Sequence, residues 1–386
     1  LSAAASNTTS TTERPSARPL FPKHSPLREE IVARVDAYFS AQQRSKKGGW
    51  AMLGKSLIFL TWAVASYVAL VFWATSWWQA VPLAISLAFA MAGIGFSVQH
   101  DGGHGAYCES HFGNRLAAAA LDFIGASSYF WNQKHNILHH THTNVEDVDD
   151  DLDARPFLRM TTCQPRHWFH RYQHIYSLML IGAFFSTKWA IFDDFSVWAK
   201  GKIGDQRIPR PHGFDVAQLL VGKVWFLIWA FIIPLSRHDF PEFMLAYFIV
   251  FCVQGAVLGL VFQLAHAVDT TEIVAHPRGS ERLPRPFFEH QLATTSDFAP
   301  RNKLVTWYVG GLNFQVEHHL FPKISHLHYP AICEIVREVC AKHGIKHLQH
   351  ETLGEAIASH MRFMKAMGRG EESPAIRTSS ALPARA

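Results

Sequence analysis

The stretch SLIFLTWAVASYVALVFWATSWWQAVPLAISLAFAMAGIGFSVQHDGGH, residues 56–104, holds no Asp, Glu, Lys or Arg before Asp101, and its first histidine, His100, stands where the apolar run ends. One helix crosses a bilayer in about 20 residues, so the run is long enough for two and predicts a hairpin. Its turn is expected over Ser76-Trp77-Trp78-Gln79-Ala80-Val81-Pro82. Paired tryptophans suit the membrane interface, and Pro82 is suited to open the second helix.

The rest of the chain agrees with a membrane protein. Charged residues make up 17% of the 386 residues, against about 25% in ordinary soluble domains. A second apolar hairpin reads from Ala217 to Ala265, turning at Pro234-Leu235-Ser236-Arg237-His238-Asp239-Phe240-Pro241. Together the two predict spans at about 57–76, 80–99, 217–236 and 243–265. Lys223, near the start of the third span, is expected to snorkel toward the headgroups. Arg44, Lys46, Lys47 and Lys55 crowd the segment before the first hairpin, whereas the two turns hold only Arg237. The positive-inside rule then puts both termini and the long central segment in the cytoplasm. A weaker apolar run, Ile175 to Phe192, is broken by Lys188 and ends in Asp193-Asp194. Were it to cross, the histidines on its two sides would face opposite compartments, so it is read as an interfacial or buried helix.

Residues 1–24, rich in Ser, Thr, Pro and Arg, and residues 369–386 read as disordered tails around a membrane domain over 25–368. No signal-peptide core precedes the first span. Ser25-Pro26 predicts an N-cap and first-turn proline for a helix with Ile31, Val35, Tyr38 and Phe39 on one face. Ile332, Ile335, Val336, Val339 and Cys340 form a second stripe, closed by Gly344, for packing in a core or on the membrane surface.

Histidine is as frequent as glycine, 24 of each. The five cysteines (Cys108, Cys163, Cys252, Cys333, Cys340) make no CxxC pair and no zinc-knuckle spacing. Neither a disulfide scaffold nor a thiolate metal site is expected, and metal chemistry falls to the histidines. His100 and His104 lie four apart, a spacing at which two imidazoles on one helix face reach one metal or two neighbouring ones. His135-Asn136-Ile137-Leu138-His139-His140 repeats the spacing and adds His140 about 100° away, as a second metal would require. Gln315-Val316-Glu317-His318-His319 places Gln315 on the face of its histidines, and His266 ends the fourth span. On the predicted topology all of them share one side of the membrane. Neutral imidazoles without thiolates suit Zn, Cu, Ni or Fe rather than Mg or Ca. Eight exceed one coordination sphere, so two metals are implied. Redox work on an apolar substrate favours iron with oxygen.

Over about Ser56 to Pro330 the order and spacing of these clusters resemble the three histidine boxes of the membrane-bound fatty acid desaturases. The resemblance implies an all-α multi-pass membrane protein, four transmembrane helices in two hairpins with a cytoplasmic helical cap holding a di-iron site. It makes His100, His104, His135, His139, His140, His266, His318 and His319 the iron ligands, and Gln315 a ninth ligand or a partner of one. O2 is then the co-substrate, and the product is a cis double bond in a fatty acyl lipid or acyl-CoA. Gln315 within Asn313-Phe314-Gln315-Val316-Glu317-His318-His319-Leu320-Phe321-Pro322 is similar to the front-end subgroup, which acts at carbon five, six or eight. Phe262-Gln263-Leu264-Ala265-His266 looks more like bacterial linoleoyl-type members. No haem-binding HPGG motif occurs, so an external donor is expected, ferredoxin or cytochrome b5 with its reductase.

An unactivated methylene has no acidity for a side-chain base to exploit, which is why such an enzyme turns to metal and oxygen. The spans, with Leu116 to Trp131, are expected to line an apolar channel that positions the chain. The acidic run Glu146 to Asp153 fails as a calcium loop, having Leu152 where glycine is needed and Leu158 where a bidentate glutamate is needed. It reads as a solvated loop, or as acids that orient box-two imidazoles. Lys134, Arg155, Arg159, Arg166 and Arg171 are candidates for a phosphate headgroup, the phosphates of coenzyme A or anionic membrane lipid. Nothing resembles a nucleic-acid motif. Two rivals share the histidines: a di-iron fatty acid or alkane hydroxylase, and a non-catalytic lipid-binding membrane protein, which would have lost ligands that are all present here.

Overall fold

The computed structural model describes residues 18–276 and 282–371, and they are mostly helical. Five segments are long and apolar enough to cross a membrane: Gly49–Trp73 (α2), Trp77–Gly103 (α3), Trp168–Lys200 (α4), Phe214–Leu235 (α5) and Phe240–His266 (α6). Protein covers 67% of the most apolar window of α3 but only 17–28% of the others. The other four therefore present apolar side chains outward, among them Leu57, Ile58, Val64, Val221 and Phe248. Such surface is stable against lipid rather than water. Exposed Trp73, Trp77 and Trp78 mark the first turn as an interface.

The first span begins earlier than expected, at Gly49, because Lys55 does not end it. Its ammonium is buried and meets His326 Nε2 at 2.9 Å, and the other His326 nitrogen lies 2.9 Å from Asp101 Oδ1. The turn occupies residues 74–76, so Pro82 sits inside α3 rather than opening it. Lys223 does not snorkel: Asp194 takes its ammonium at 2.6 Å, and the carbonyls of Gly125 and Ala190 accept from it.

The segment expected to be interfacial is part of α4, which qualifies as a fifth span by length and composition. The charges that broke its apolar run are paired, Lys188 with Asp193 and Asp194 with Lys223. Both of its ends are anchored to segments outside the other spans. Gln173 Nε2 donates to the carbonyls of Arg159 and Met364, and Val197 and Trp198 pack with Leu138 of the second box. In its middle α4 runs against α6 through small residues. A Cβ on Gly182 would lie 2.3 Å from the Cys252 carbonyl oxygen, and one on Gly255 would strike Ser186. Small residues let membrane helices approach this closely.

Outside the spans, Pro26–Gln42 (α1) is capped by Ser25, whose hydroxyl accepts from Arg28 N at 3.0 Å. Its Leu27, Ile31, Val35 and Phe39 pack on Ile332, Val336, Val339 and Cys340 of Tyr329–Lys342 (α7). The two stripes cover each other, so both serve a core. Leu353–Arg369 (α8), not anticipated from periodicity, opens on a reciprocal capping box of Thr352 and Glu355. It packs Phe363, Met364 and Met367 beside the start of α4. Of the segment 1–24 expected to lack structure, residues 1–17 lie outside the described residues. Leu20 bridges to Arg282, and the Pro19 carbonyl is bound by His142. At the other end, Arg369 closes α8 on Gly370, and 372–386 again lie outside the described residues.

Replacing Gly182 by Val is expected to destabilise the detergent-solubilised protein by about 1–3 kcal/mol through overpacking. A lowered thermal midpoint is the readout. Gly54→Ala, where a Cβ meets nothing within 4 Å, should leave the midpoint unchanged or raise it.

Candidate metal centre

The seven box histidines and His266 converge. His100, His104, His135 and His318 offer ring nitrogens within 4.8 Å of one another; so do His139, His266 and His319, and so do His140, His318 and His319. Two nests of imidazole thus lie side by side. His140 lies between them, with ring centroids 4.2 Å from His319 and 4.6 Å from His104. Each element contributes according to its local geometry. His100 and His104 stay on one face because helical hydrogen bonding continues to His104, whose N–H reaches the His100 carbonyl at 3.1 Å. Asn132–His139 is wound with wider, i to i+5 turns, which part the expected i, i+4 pair: His135 joins the first nest and His139 the second. Gln315–Leu320 (the box-three helix) sends adjacent His318 and His319 to different nests, as a rotation of about 100° per residue requires.

The hydrogen bonds behind the rings show which nitrogen is left for a metal. His139 Nδ1 meets Asp149 Oδ2 at 3.0 Å, and His319 Nδ1 donates to Gln291 Oε1 at 2.9 Å. His318 Nδ1 meets the Tyr329 hydroxyl at 3.2 Å, and His266 Nδ1 the Thr294 carbonyl at 3.3 Å. The Nε2 atoms of these four rings, with His104 Nε2 and His140 Nδ1, are buried without any hydrogen-bond partner. A buried polar atom without a partner costs about 1–3 kcal/mol. Six within one cluster would be satisfied by metal ions taking their lone pairs, with carboxylate, carbonyl and amide oxygens fixing the tautomers behind. The donor set fits the iron implied by the resemblance. Burial, reinforced by neighbouring imidazoles, holds His135, His140, His318 and His319 well below the usual imidazole range, so they are neutral. His139 differs: burial again opposes its charge, but Asp149 and Asp151 raise it overall.

Gln315 is buried on the box-three helix with its Oε1 unpartnered. His142 faces away, bound to the Pro19 carbonyl and stacked on Phe21. Trp131 stacks on His135 with centroids 4.5 Å apart, and Phe262 lies 5.1 Å from His139, so aromatic rings flank both nests. Of the acidic run, Asp149 is buried and orients His139, whereas Asp150 and Asp151 hold Lys134 at 3.0 Å. The orienting residues Thr143, Gln291, Thr294 and Tyr329 carried no sequence signal, being ordinary residues in unremarkable contexts.

Most of the expected phosphate-binding bases are already engaged. Lys134 has its two carboxylates, Arg155 pairs with Asp153, and buried Arg159 donates to the carbonyls of Thr162, Gln164 and Met367. Arg166 binds the Arg369 carbonyl and Arg171 that of Trp168. A cavity of about 400 Å³ walled by Leu70, Leu87, Trp229, Val250 and Phe251 lies toward the hairpin turns, at the other end of the spans from the histidines.

Comparison with known proteins accords with this centre. The family model described as fatty acid desaturase matches residues 76–350, which include every box. The sn-1 linoleoyl-lipid 6-desaturase of Arthrospira platensis is 35% identical over 92% of this chain and 96% of its own length. The acyl-lipid (8-3)-desaturase of Physcomitrium patens is 34% identical over 88% of this chain and 71% of its own. A probable delta(5) fatty acid desaturase of Dictyostelium discoideum is 30% identical over 91% and 78%. With its histidines gathered into paired nests and this match across most of its length, the chain belongs to the fatty acid desaturase family.

Proposed function

We propose that this chain is an O2-dependent acyl-lipid desaturase that places a cis double bond between an existing double bond and the carboxyl end, at carbon six of linoleoyl lipids. The observation that carries the reading is the paired imidazole nests with their unpartnered nitrogens. The regiochemistry and the lipid-linked substrate rest on the relatives that act on linoleoyl lipid at position 6 and match this chain over 96% of their own length. A lipid-linked rather than coenzyme A-linked chain also agrees with the internal pairing of Lys134, Arg155 and Arg159.

His100, His104, His135, His139, His140, His266, His318 and His319 would hold two iron ions, with Gln315 as a ninth ligand or a hydrogen-bonding partner of one. When bound, the iron pair with O2 supplies an oxidant able to take hydrogen from adjacent unactivated methylenes, which no side-chain base can deprotonate. The chain's own residues orient and shield. Asp149, Gln291, Thr294 and Tyr329 hold His139, His319, His266 and His318 by their other nitrogens, and Trp131 and Phe262 keep the surroundings apolar, so an acyl chain replaces water there. Four spans, α2, α3, α5 and α6, with α4 returning to the side it left, would keep the eight nest histidines on one face. The basic residues before α2 put that face in the cytoplasm, where ferredoxin or cytochrome b5 with its reductase delivers electrons.

Expression in a host with a simple fatty acid pool supplied with linoleate should yield a trienoic acid with its new bond at carbon six, located by mass spectrometry of derivatised lipids. New hydroxy acids alone would reject desaturation, and a new bond on the methyl side of the existing ones would reject the regiochemistry. Asp149→Asn should keep the fold but weaken iron retention about 10–100-fold against a competing chelator. His318→Ala should lose iron and abolish the product.

A further inference from the structure

A second cluster of metal-ligating side chains lies behind the box-three helix, away from the two imidazole nests. Asp297, Glu317, Cys333 and His347 each offer a donor atom, and the four atoms lie within 4.8 Å of one another. His347 Nε2 is 3.1 Å from Glu317 Oε1 and 3.5 Å from Asp297 Oδ2, and Cys333 Sγ is 3.7 Å from Asp297 Oδ2. A tetrahedral zinc ion, with bonds of about 2.0 Å to nitrogen or oxygen and 2.3 Å to sulfur, spaces its ligand atoms roughly 3.2–3.8 Å apart. The three separations of 3.1, 3.5 and 3.7 Å lie in or close to that range.

Three further observations point the same way. Asp297 and Glu317 are fully buried with carboxylate oxygens within 4.8 Å of each other, which two anions in a dry interior do not sustain without a cation or a proton. Glu317 Oε2 has no hydrogen-bond partner, and Asp297 keeps Oδ2 for the cluster because its Oδ1 already accepts from Val316 N at 2.9 Å. A cavity of about 370 Å³ bordered by Pro300, Arg301, Cys333, Arg337 and Gln349 reaches the cysteine, giving an ion a way in.

We propose that Asp297, Glu317, Cys333 and His347 bind one zinc ion, a site distinct from the histidine nests. The sulfur, imidazole and carboxylate donors suit zinc, and its charge ionises a coordinated thiol, releasing that proton to solvent. Three anionic ligands and one neutral imidazole leave the loaded site one negative charge. The ligands come from the strand at Asp297–Phe298, the box-three helix, α7 and the loop before Gln349. Zinc would therefore clamp the helix carrying His318 and His319 from its rear face. Residue spacing hides the site, because its ligands lie far apart in sequence and only one is a cysteine.

The test uses full-length protein purified in detergent with a tag that lacks histidine, from cells supplied with iron and zinc. Elemental analysis should find close to one zinc per chain besides iron. X-ray absorption at the zinc edge should find one sulfur neighbour at about 2.3 Å, a signature that zinc misplaced among imidazoles cannot give. Cys333→Ser should remove the sulfur signal, and His347→Gln should reduce zinc to a trace. His318→Ala, which empties the proposed iron site, should keep the zinc. Wild-type protein with its iron but only traces of zinc, or zinc surrounded by nitrogen and oxygen alone, would overturn the proposal and leave protons to balance the carboxyls. Neither result bears on whether the enzyme desaturates lipids.

Discussion

An imidazole taken out of water has two nitrogens to satisfy, and the interior of this protein holds a whole cluster of imidazoles at once. The architecture around the nests meets that demand from behind. Asp149, Gln291, Thr294 and Tyr329 come from three separate segments, Gln291 and Thr294 sharing the helix Phe287–Thr294, and each engages the Nδ1 of one ring. This leaves Nε2 atoms without protein partners, turned to a common interior. Such an arrangement is costly without a metal and well matched to one, because the same contacts that fix the tautomers hold the rings in place. The helices that supply the rings are in turn held by contacts of this kind, so fold and site are one problem.

The membrane enters through α3 and α6. α3 ends just short of His104 and α6 ends at His266, and α3 is the span most enclosed by protein. A substrate chain lying in the bilayer and a centre at the span ends then share a boundary, which suits a reaction on apolar methylenes. The charges near that boundary are matched inside the protein: Lys55 with His326 and Asp101, Lys223 with Asp194. Buried charges paired in this way keep polar groups out of the lipid without costing the spans their length.

Several histidines outside the nests have structural duties. His290, His170 and His360 bind the backbone carbonyls of Thr143, Pro156 and Ala267, and His326 bridges Lys55 and Asp101. His290 and His360 stand close behind the centre, binding the carbonyls of Thr143 beside box two and of Ala267 next to His266. The high histidine content thus has two physical origins, ring nitrogens for metal and ring nitrogens for carbonyls in segments that lack regular hydrogen bonding.

Hydropathy and spacing were enough to place the hairpins, the three boxes and His266, because uncharged runs and clustered histidines are local properties of the chain. Gln315 and the amphipathic stripes of α1 and α7 were legible for the same reason. The capping box of α8 was equally local, a signal at Thr352 and Glu355 that periodicity overlooked. What no local pattern carries is partnership between distant segments. The division of His135 from His139 depends on wide helical turns, and the choice of Asp149 over its acidic neighbours depends on which one is buried. The commitment of Lys134 and Arg159 to internal partners, and the meeting of Asp297, Glu317, Cys333 and His347, arise only when the chain closes on itself. Composition and spacing are local properties, and they were enough to mark a chain of long apolar helices carrying clustered histidines suited to a metal. Only the tertiary structure decided which nitrogens are free and which charges are already satisfied, since those depend on contacts made across the whole chain.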